Sequence, residues 1–279
     1  MVNELLDSQV QQEMQRLSLF LNELFPDPTG LTLMVTAEQQ QAELKQLREG
    51  LRTEQFFLVV DLLSMRIVEA AGLEELGYQS SQFTFRQYLS AFPTQGMLQL
   101  ITLLGKQSFS MSDQAMVTFM NPKYVSSIPM TCANGQVMLI KRMISPWQFS
   151  STGLLTAYVS EYTIMQPYNN EPLNPRFINM PPAVEAQFSA MMAQVFAHLP
   201  ARINRFAHKE ISLLKLYVEK EGEELPVPQI ALMAGIKPNT VRTYNQRIMA
   251  KAKTMFGSNM NARTAREVAL FLKQSGMLG

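Results

Sequence analysis

The chain has 279 residues, of which 47% are hydrophobic, so it is long enough to form two domains with buried cores. Its single cysteine, Cys132, excludes an internal disulfide and a cysteine-rich zinc site, and we predict no metal site. The densest apolar run, FFLVVDLL, is interrupted by Asp61, and the first residues lack the pattern of a signal peptide. We therefore expect a cytoplasmic protein without a membrane partner.

The net charge of +1 conceals an uneven distribution of charged residues. Residues 1–200 carry 11 lysines and arginines against 17 acidic residues, whereas residues 201–279 carry 13 against 6. A basic C-terminal part indicates a polyanionic partner, although a solvated basic face without any partner gives the same pattern.

Residues 1–50 form a predicted helical segment. In residues 3–24 apolar residues recur at spacings of three and four, until PDPTG at 26–30 breaks the pattern. The residues of this apolar stripe are Leu6, Val10, Met14, Leu17 and Leu21. A second helix is predicted over residues 37–51. The sequence leaves open whether the first helix packs on the following domain or forms a dimer contact.

Residues 51–166 are predicted to form an α+β domain with an antiparallel sheet covered by short helices. QFFLVVDLLSMRIVEA predicts a pair of strands, and short helices interrupted by glycine and proline follow. Further strands are predicted in AMVTFM, in SSIPMTCANGQVMLIKRMISPWQF and in TGLLTAYVSEYTIM. Asn134-Gly135 predicts a tight turn between two of these strands.

Residues 167–205 are interpreted as a linker and a connecting helix. QPYNNEPLNPRF, residues 166–177, is rich in proline and asparagine, and a helix is predicted from Pro182 to residue 199. Residues 206–279 are predicted to form an all-helical domain.

A helix-turn-helix is predicted in PQIALMAGIKPNTVRTYNQRIMAKAK, residues 228–253. Two helices that cross closely need a small residue on the first helix and a tight turn, which Ala231 and Gly235 supply. Pro238 suits the first turn of the second helix. The predicted core residues of the motif are Ala231, Gly235, Ile236, Val241 and Ile248.

The second helix of the motif has a polar and basic face opposite this core. Arg, Asn and Gln suit base edges, whereas Lys, Arg, Thr and Tyr suit phosphates. The candidate DNA-binding residues are Asn239, Thr240, Arg242, Thr243, Tyr244, Gln246, Arg247 and Lys251. A solvated surface helix carries similar residues, and the combination with the turn spacing and the local charge is what favours DNA binding.

In this region the sequence resembles the DNA-binding domain of LuxR/NarL-type regulators over about residues 206–275. The matching positions are Ile230, Ala231, Gly235, Ile236, Thr240, Val241, Ile248, Lys251 and Gly257. The resemblance implies a four-helix domain that binds a two-fold operator as a homodimer. It also implies that Arg242, Thr243, Gln246 and Arg247 lie near the DNA and that the closing helix, ARTAREVALFLK, supports dimerisation.

Three features depart from the family pattern. Tyr244 replaces a histidine, Ser212 replaces a glutamate of the first helix, and the connector EKEGEELPVP is longer than usual.

The order of elements in residues 51–166 is similar to that of a PAS domain, and ELGY at 75–78 resembles the phrase after the second PAS strand. This resemblance implies a sensor or dimerisation role. We predict no bound cofactor, since His198 and His208 lie outside this region and the cysteine motif of light-sensing flavin domains is absent. An unidentified small-molecule ligand is a candidate. Aromatic residues that could line its pocket, or pack the core instead, are Phe57, Phe85, Tyr88, Phe92 and Trp147.

We predict that the protein is not an enzyme, since the chain has only two histidines and no HExxH, P-loop, GxGxxG or GxSxG motif. Cys132 is expected to be a buried thiol. The favoured hypothesis is a sensor-regulated transcription factor that binds double-stranded DNA as a homodimer, with RNA polymerase as a candidate further partner. The alternative is a PAS-type scaffold whose helical tail binds a protein. Only the DNA-binding protein should show steep salt dependence.

Overall fold

The computed structural model describes residues 2–110, 123–179, 182–197, 206–222, 225–257 and 260–278. The chain divides into two compact units. The first comprises Met1–Tyr168 and Arg176–Glu185, and the second comprises Asn169–Pro175 and Ala186–Gly279.

The first unit is built on a six-stranded antiparallel sheet with the order β2-β1-β5-β4-β3-β6. Its strands are β1 (Gln55–Asp61), β2 (Arg66–Ala71), β3 (Lys123–Thr131), β4 (Val137–Phe149), β5 (Leu155–Pro167) and β6 (Arg176–Ile178). The strand pair and the meander β3-β4-β5 agree with the predicted order, and Gly135 takes a φ of +86° in the turn between β3 and β4. The strand predicted at AMVTFM lies outside the described residues.

Helices cover both faces of the sheet. They are α1 (Val2–Leu24), α2 (Ala37–Gly50), α3 (Phe85–Ser90) and α4 (Gln95–Ser110), with 3-10 turns at Leu73–Leu76 and Ser80–Gln82. Side chains of a strand alternate between the two faces. Tyr158 and Tyr162 of β5 therefore contact α3 and α4, while Val159 between them packs towards α2.

Helix α1 packs on α3 and α4 of its own chain. Val10, Leu17 and Leu21 of the predicted apolar stripe are buried. Glu13 on the same side is also buried, and its Oε2 accepts a hydrogen bond of 3.1 Å from the Thr102 hydroxyl. The first helix therefore packs on the domain that follows it.

The second unit contains the four helices α6 (His208–Glu219), α7 (Val227–Met233), α8 (Pro238–Phe256) and α9 (Ala265–Gln274), preceded by α5 (Pro182–Ala197). Its buried side chains include Leu213, Leu214, Val241, Ile248, Val268 and Leu272. An antiparallel sheet domain followed by a four-helix domain with a helix-turn-helix confirms the predicted α+β fold class.

The segment interpreted as a linker has defined structure in both units. Leu173 is fully buried in the second unit, where its N–H donates to the Ser275 hydroxyl at 3.3 Å. The N–H of Asn174 donates to the carbonyl oxygen of Gln274 at 3.1 Å. Arg176–Ile178 then forms β6 beside β3. Residues 169–175 are therefore part of the helical unit rather than a free connection.

Candidate DNA-binding site

The turn between α7 and α8 has the hydrogen bonds of a Schellman motif. The N–H of Gly235 donates to Leu232 O at 3.2 Å, and the N–H of Ile236 donates to Ala231 O at 3.0 Å. Gly235 has a φ of +65°, which glycine adopts at little cost. A Cβ at this position would meet no atom within 4 Å, so the backbone angle is the reason for the glycine.

Helix α8 begins directly after this turn. The backbone of Lys237 is extended, and Pro238 occupies the first helical position. An N–H at that position would have no acceptor within the helix, so proline, which lacks one, loses no hydrogen bond there. The N–H groups of Thr240 and Val241 both donate to Lys237 O, at 2.9 and 3.2 Å. The turn and the proline together fix where α8 starts relative to α7.

The predicted core residues of the motif occupy three environments. Ala231, Val241 and Ile248 are buried between the helices, with 2%, 0% and 0% of their surface exposed. Ile236 is half-buried, and Gly235 lies at the surface of the turn. Ala231 leaves room for α8 beside α7, and the buried face of α8 continues through Ala252 and Met255.

The opposite face of α8 carries the candidate base-contacting residues, all of which are exposed. They are Asn239, Arg242, Thr243 and Gln246. The guanidinium of Arg242 donates to Asn239 Oδ1 at 3.0 Å, and the Thr243 hydroxyl donates to Asn239 O at 3.0 Å. Asn239 thus holds two neighbouring polar side chains at the start of the helix.

The candidate phosphate-contacting residues differ in exposure. Arg247 is exposed, whereas Thr240, Tyr244 and Lys251 are half-buried. Helix α8 contains four basic residues and no acidic residue, so its exposed face is electropositive. An array of this kind suits the phosphates beside a major groove.

Lys251 is held within the helical unit. Its Nζ lies 2.6 Å from Oε2 of Glu210, a residue of α6 with 1% of its surface exposed. The same carboxylate accepts the N–H of Ala207 at 2.7 Å. Because this ion pair compensates the ammonium charge, Lys251 is the least available cation among the candidate residues.

Glu210 is a residue of the site that the sequence analysis missed. The comparison with the LuxR/NarL pattern indicated that the usual glutamate of this helix is replaced by Ser212. That serine is exposed, and its hydroxyl donates to His208 O at 3.0 Å. The signal for Glu210 is its position three residues after Ala207, which is the spacing of a capping glutamate at a helix start.

A second contact that the sequence did not predict joins α6 to α8. The Tyr217 hydroxyl of α6 donates to Asn245 Oδ1 of α8 at 3.0 Å, and burial raises the pKa of Tyr217.

The aromatic residues proposed to line a ligand pocket lie on two sides of the sheet. Phe57 and Trp147 face α2. Tyr88 and Phe92 are buried on the other side, and Phe85 is half-buried. The Tyr88 hydroxyl accepts a hydrogen bond of 3.1 Å from the buried guanidinium of Arg142. One pocket formed by all five residues is therefore excluded.

Other sequence predictions concern isolated groups. Cys132 is buried, and burial raises the pKa of its thiol. Among the described residues no cluster of His, Cys, Asp and Glu is arranged to bind a metal ion. In the same part of the chain, every helix is too short or too polar to span a membrane. His198 lies outside the described residues.

No family model and no curated protein matches this chain. It is similar to solved structures of VqmA. The first is a phage VqmA–DPO complex, with 13% identity, coverage of 85% of this chain and 91% of that chain, and a TM-score of 0.30. The second is a Vibrio cholerae VqmA–ligand–DNA complex, with 15% identity, coverage of 88% and 91%, and a TM-score of 0.29. The third is a V. cholerae VqmA dimer without target DNA, described as a LuxR-type receptor, with 16% identity, coverage of 87% and 89%, and a TM-score of 0.25. Because these identities and TM-scores are low, the conclusions about the architecture and role of this chain rest on its own residues and contacts.

Proposed function

We propose that the protein is a sequence-specific DNA-binding transcriptional regulator with α8 as its recognition helix. The observation that carries this proposal is the exposed face of α8, which has basic and amide side chains and no acidic one. The Gly235 turn and the buried pair Val241 and Ile248 hold this face outward. A helix presented in this way fits a major groove.

The proposal assigns base contacts to Asn239, Arg242, Thr243 and Gln246. Arg242 suits guanine, because a guanidinium can donate two parallel hydrogen bonds to O6 and N7. Thr240, Tyr244 and Arg247 border this group and are assigned to phosphates, with Lys251 in a smaller role because of Glu210. We further propose that the protein binds a two-fold operator as a homodimer and that the PAS-like unit senses the signal.

A fluorescence anisotropy titration tests the proposal. A labelled duplex is selected from a random-sequence pool with the full chain, and its affinity is then measured at several salt concentrations. Arg242→Ala should weaken binding by about 1–3 kcal/mol, the usual discrimination of one bidentate base contact. Lys215→Ala, which removes an exposed charge from α6, is the control and should change affinity little. Unchanged affinity of Arg242→Ala at fixed salt would refute the recognition-helix assignment.

A protein-binding role for the helical unit is the second candidate. Leu232 and Met233 on α7 leave 82% and 43% of their surface exposed, and adjacent exposed apolar residues suit a protein contact. Under this alternative, Leu232→Ser would abolish capture of a protein partner, while the chain would show no salt-dependent binding to any duplex of the random pool.

A further inference from the structure

A cleft of ≈ 880 Å³ lies in the first unit between α2 and the face of the sheet that carries Phe57 and Trp147. Its volume is within the range of small-molecule sites. The cleft lies on the side of the sheet opposite Tyr88 and Phe92, so it is separate from the space between the sheet and α3.

The walls of one part of the cleft are apolar. Phe57 and Val159 lie on the sheet, and Leu47 and Leu51 face them from α2 and the residue after it. Trp147 stands at an irregularity of the β4–β5 pairing, where Pro146 pairs with Tyr158 and Gln148 pairs with Ala157. A bulge of this kind redirects a side chain. This part of the cleft can take a flat apolar group.

The floor of the cleft contains an unpaired hydroxyl. Ser145 has 6% of its surface exposed, and its Oγ has no hydrogen-bond partner in the structure. A buried hydroxyl without a partner is unfavourable and is uncommon in folded proteins. A bound molecule with a polar atom beside its apolar group would supply the missing hydrogen bond.

Charged side chains also line the cleft, and one of them, Glu161 of β5, is the cross-strand partner of Phe57. Lys123 and Glu161 form a loose ion pair with an N–O distance of 3.9 Å. Lys141 is exposed on the same face of β4 as Ser145, four residues away, or about 13 Å along an extended strand. Among the described residues no carboxylate lies within ion-pair distance of Lys141, while Glu43 of α2 is the other acidic residue of the lining.

We propose that this cleft binds a small aromatic carboxylate. The ring lies beside the edge of Trp147 and against the half-buried Leu47 and Leu51, a polar atom of the ligand bonds to the Ser145 hydroxyl, and the carboxylate lies near the ammonium of Lys141. The proposal rests on the sensor role proposed for this unit. Its test uses the chain without DNA, so its failure is distinguishable from a failure of DNA binding.

Trp147 is the only tryptophan of the chain, so its fluorescence reports this cleft directly. The probe is 4-phenoxybutanoate, whose ether oxygen can accept a hydrogen bond from the Ser145 hydroxyl and which does not absorb where tryptophan emits, and 4-phenoxybutanamide is its uncharged counterpart. We expect a saturable change in Trp147 emission with one acid bound per chain, confirmed by calorimetry, and about fivefold weaker binding of the amide, as for a partly exposed ion pair.

Three variants locate the bound acid. Lys141→Met should weaken binding of the acid about fivefold and leave binding of the amide unchanged. Lys45→Met, on an exposed part of α2 outside the cleft lining, should change neither. Glu43→Gln should strengthen binding of the acid, because it removes a like charge. No saturable change in emission, equal affinities for acid and amide, or equal effects of Lys141→Met and Lys45→Met would each overturn the proposal.

Discussion

The ammonium of Lys251 lies 2.6 Å from a carboxylate oxygen of Glu210 and ties α8 to α6. The Glu210 side chain is 2% exposed and that of Lys251 is 24% exposed, so the pair is largely shielded from water. Removal of one partner from such a pair leaves a buried charge without compensation, which costs more than the pair contributes.

Lys251→Met should therefore lower the free energy of unfolding of the helical unit by about 2 kcal/mol, at the low end for such pairs because the lysine is partly solvated. Chemical denaturation followed by far-UV circular dichroism measures this change. Lys253→Met, on an exposed position of the same helix, should stay within about 0.5 kcal/mol of the parent. The double variant Glu210→Gln/Lys251→Met should recover part of the loss. Equal stabilities of the two lysine variants would contradict this account.

Because of the same ion pair, two cations of the proposed DNA-binding face differ in how available they are to DNA phosphates. Arg247 is exposed, whereas the charge of Lys251 is compensated by Glu210. Arg247→Ala should reduce the slope of log affinity against log salt by about 0.9, the contribution of one phosphate contact to duplex DNA. Lys251→Met should reduce it by less. A larger effect for Lys251→Met, measured on folded protein, would show that DNA competes successfully with Glu210 for this lysine.

Gly235 offers a test of the turn. Because its φ is +65° and the space beside it is empty, Gly235→Ala should cost about 1 kcal/mol through backbone strain alone. Gly235→Asn should cost less, since asparagine tolerates this conformation better than alanine. Thermal unfolding of the two variants measures the difference. If asparagine is the more destabilising substitution, the reason for the glycine is steric contact rather than backbone conformation.

Residues 169–175 should be necessary for the stability of the helical unit. Leu173 is fully buried there, so Leu173→Ala should destabilise the unit by about 3 kcal/mol through lost burial and a residual cavity. Leu232→Ala is the matched control, because that leucine is 82% exposed and should tolerate the change. Both values come from denaturant titrations. A neutral Leu173→Ala would indicate that the segment is dispensable for this unit.

Buried tyrosines should make the first unit sensitive to alkali. Burial raises the pKa of Tyr124, Tyr158 and Tyr162 above the ordinary value of 10. Their neutral forms favour the folded state, so the stability that they contribute is fully present below pH 10 and is lost as the pH rises towards the folded-state values. We expect their absorbance change at 295 nm to coincide with unfolding. Ionisation of all eight tyrosines near pH 10 in a folded protein would contradict this.

The elements that local patterns specify were predicted well. The strand pair, the Asn134-Gly135 turn and the helix-turn-helix each depend on residues close together in the chain, such as Gly235 with Ala231 and Ile236. Strand β6 was missed because three residues in a segment rich in proline and asparagine carry no periodic signal, and their pairing with β3 comes from distant sequence. The same reason explains why Leu173 was assigned to a linker.

The candidate site shows the same division. The polar face of α8 follows from helical periodicity, so Asn239, Arg242, Thr243 and Gln246 were found together. The contact of Lys251 with Glu210 joins residues that are 41 positions apart in the chain, so no local sequence pattern predicts it. Strand alternation alone cannot say which helix covers which face, so Phe57 and Trp147 were grouped with Tyr88 and Phe92 on the opposite side of the sheet.

The sequence by itself determined the α+β class, the helix-turn-helix and the residues that α8 turns outward, because helical and strand periods and turn chemistry act over a few residues. Tertiary structure decided that Glu210 compensates Lys251, that residues 169–175 belong to the helical unit, and that α2 and the sheet enclose a cleft containing Ser145 and Trp147. These relationships depend on the packing of side chains that are distant in the chain, and this packing is settled only when the complete core forms.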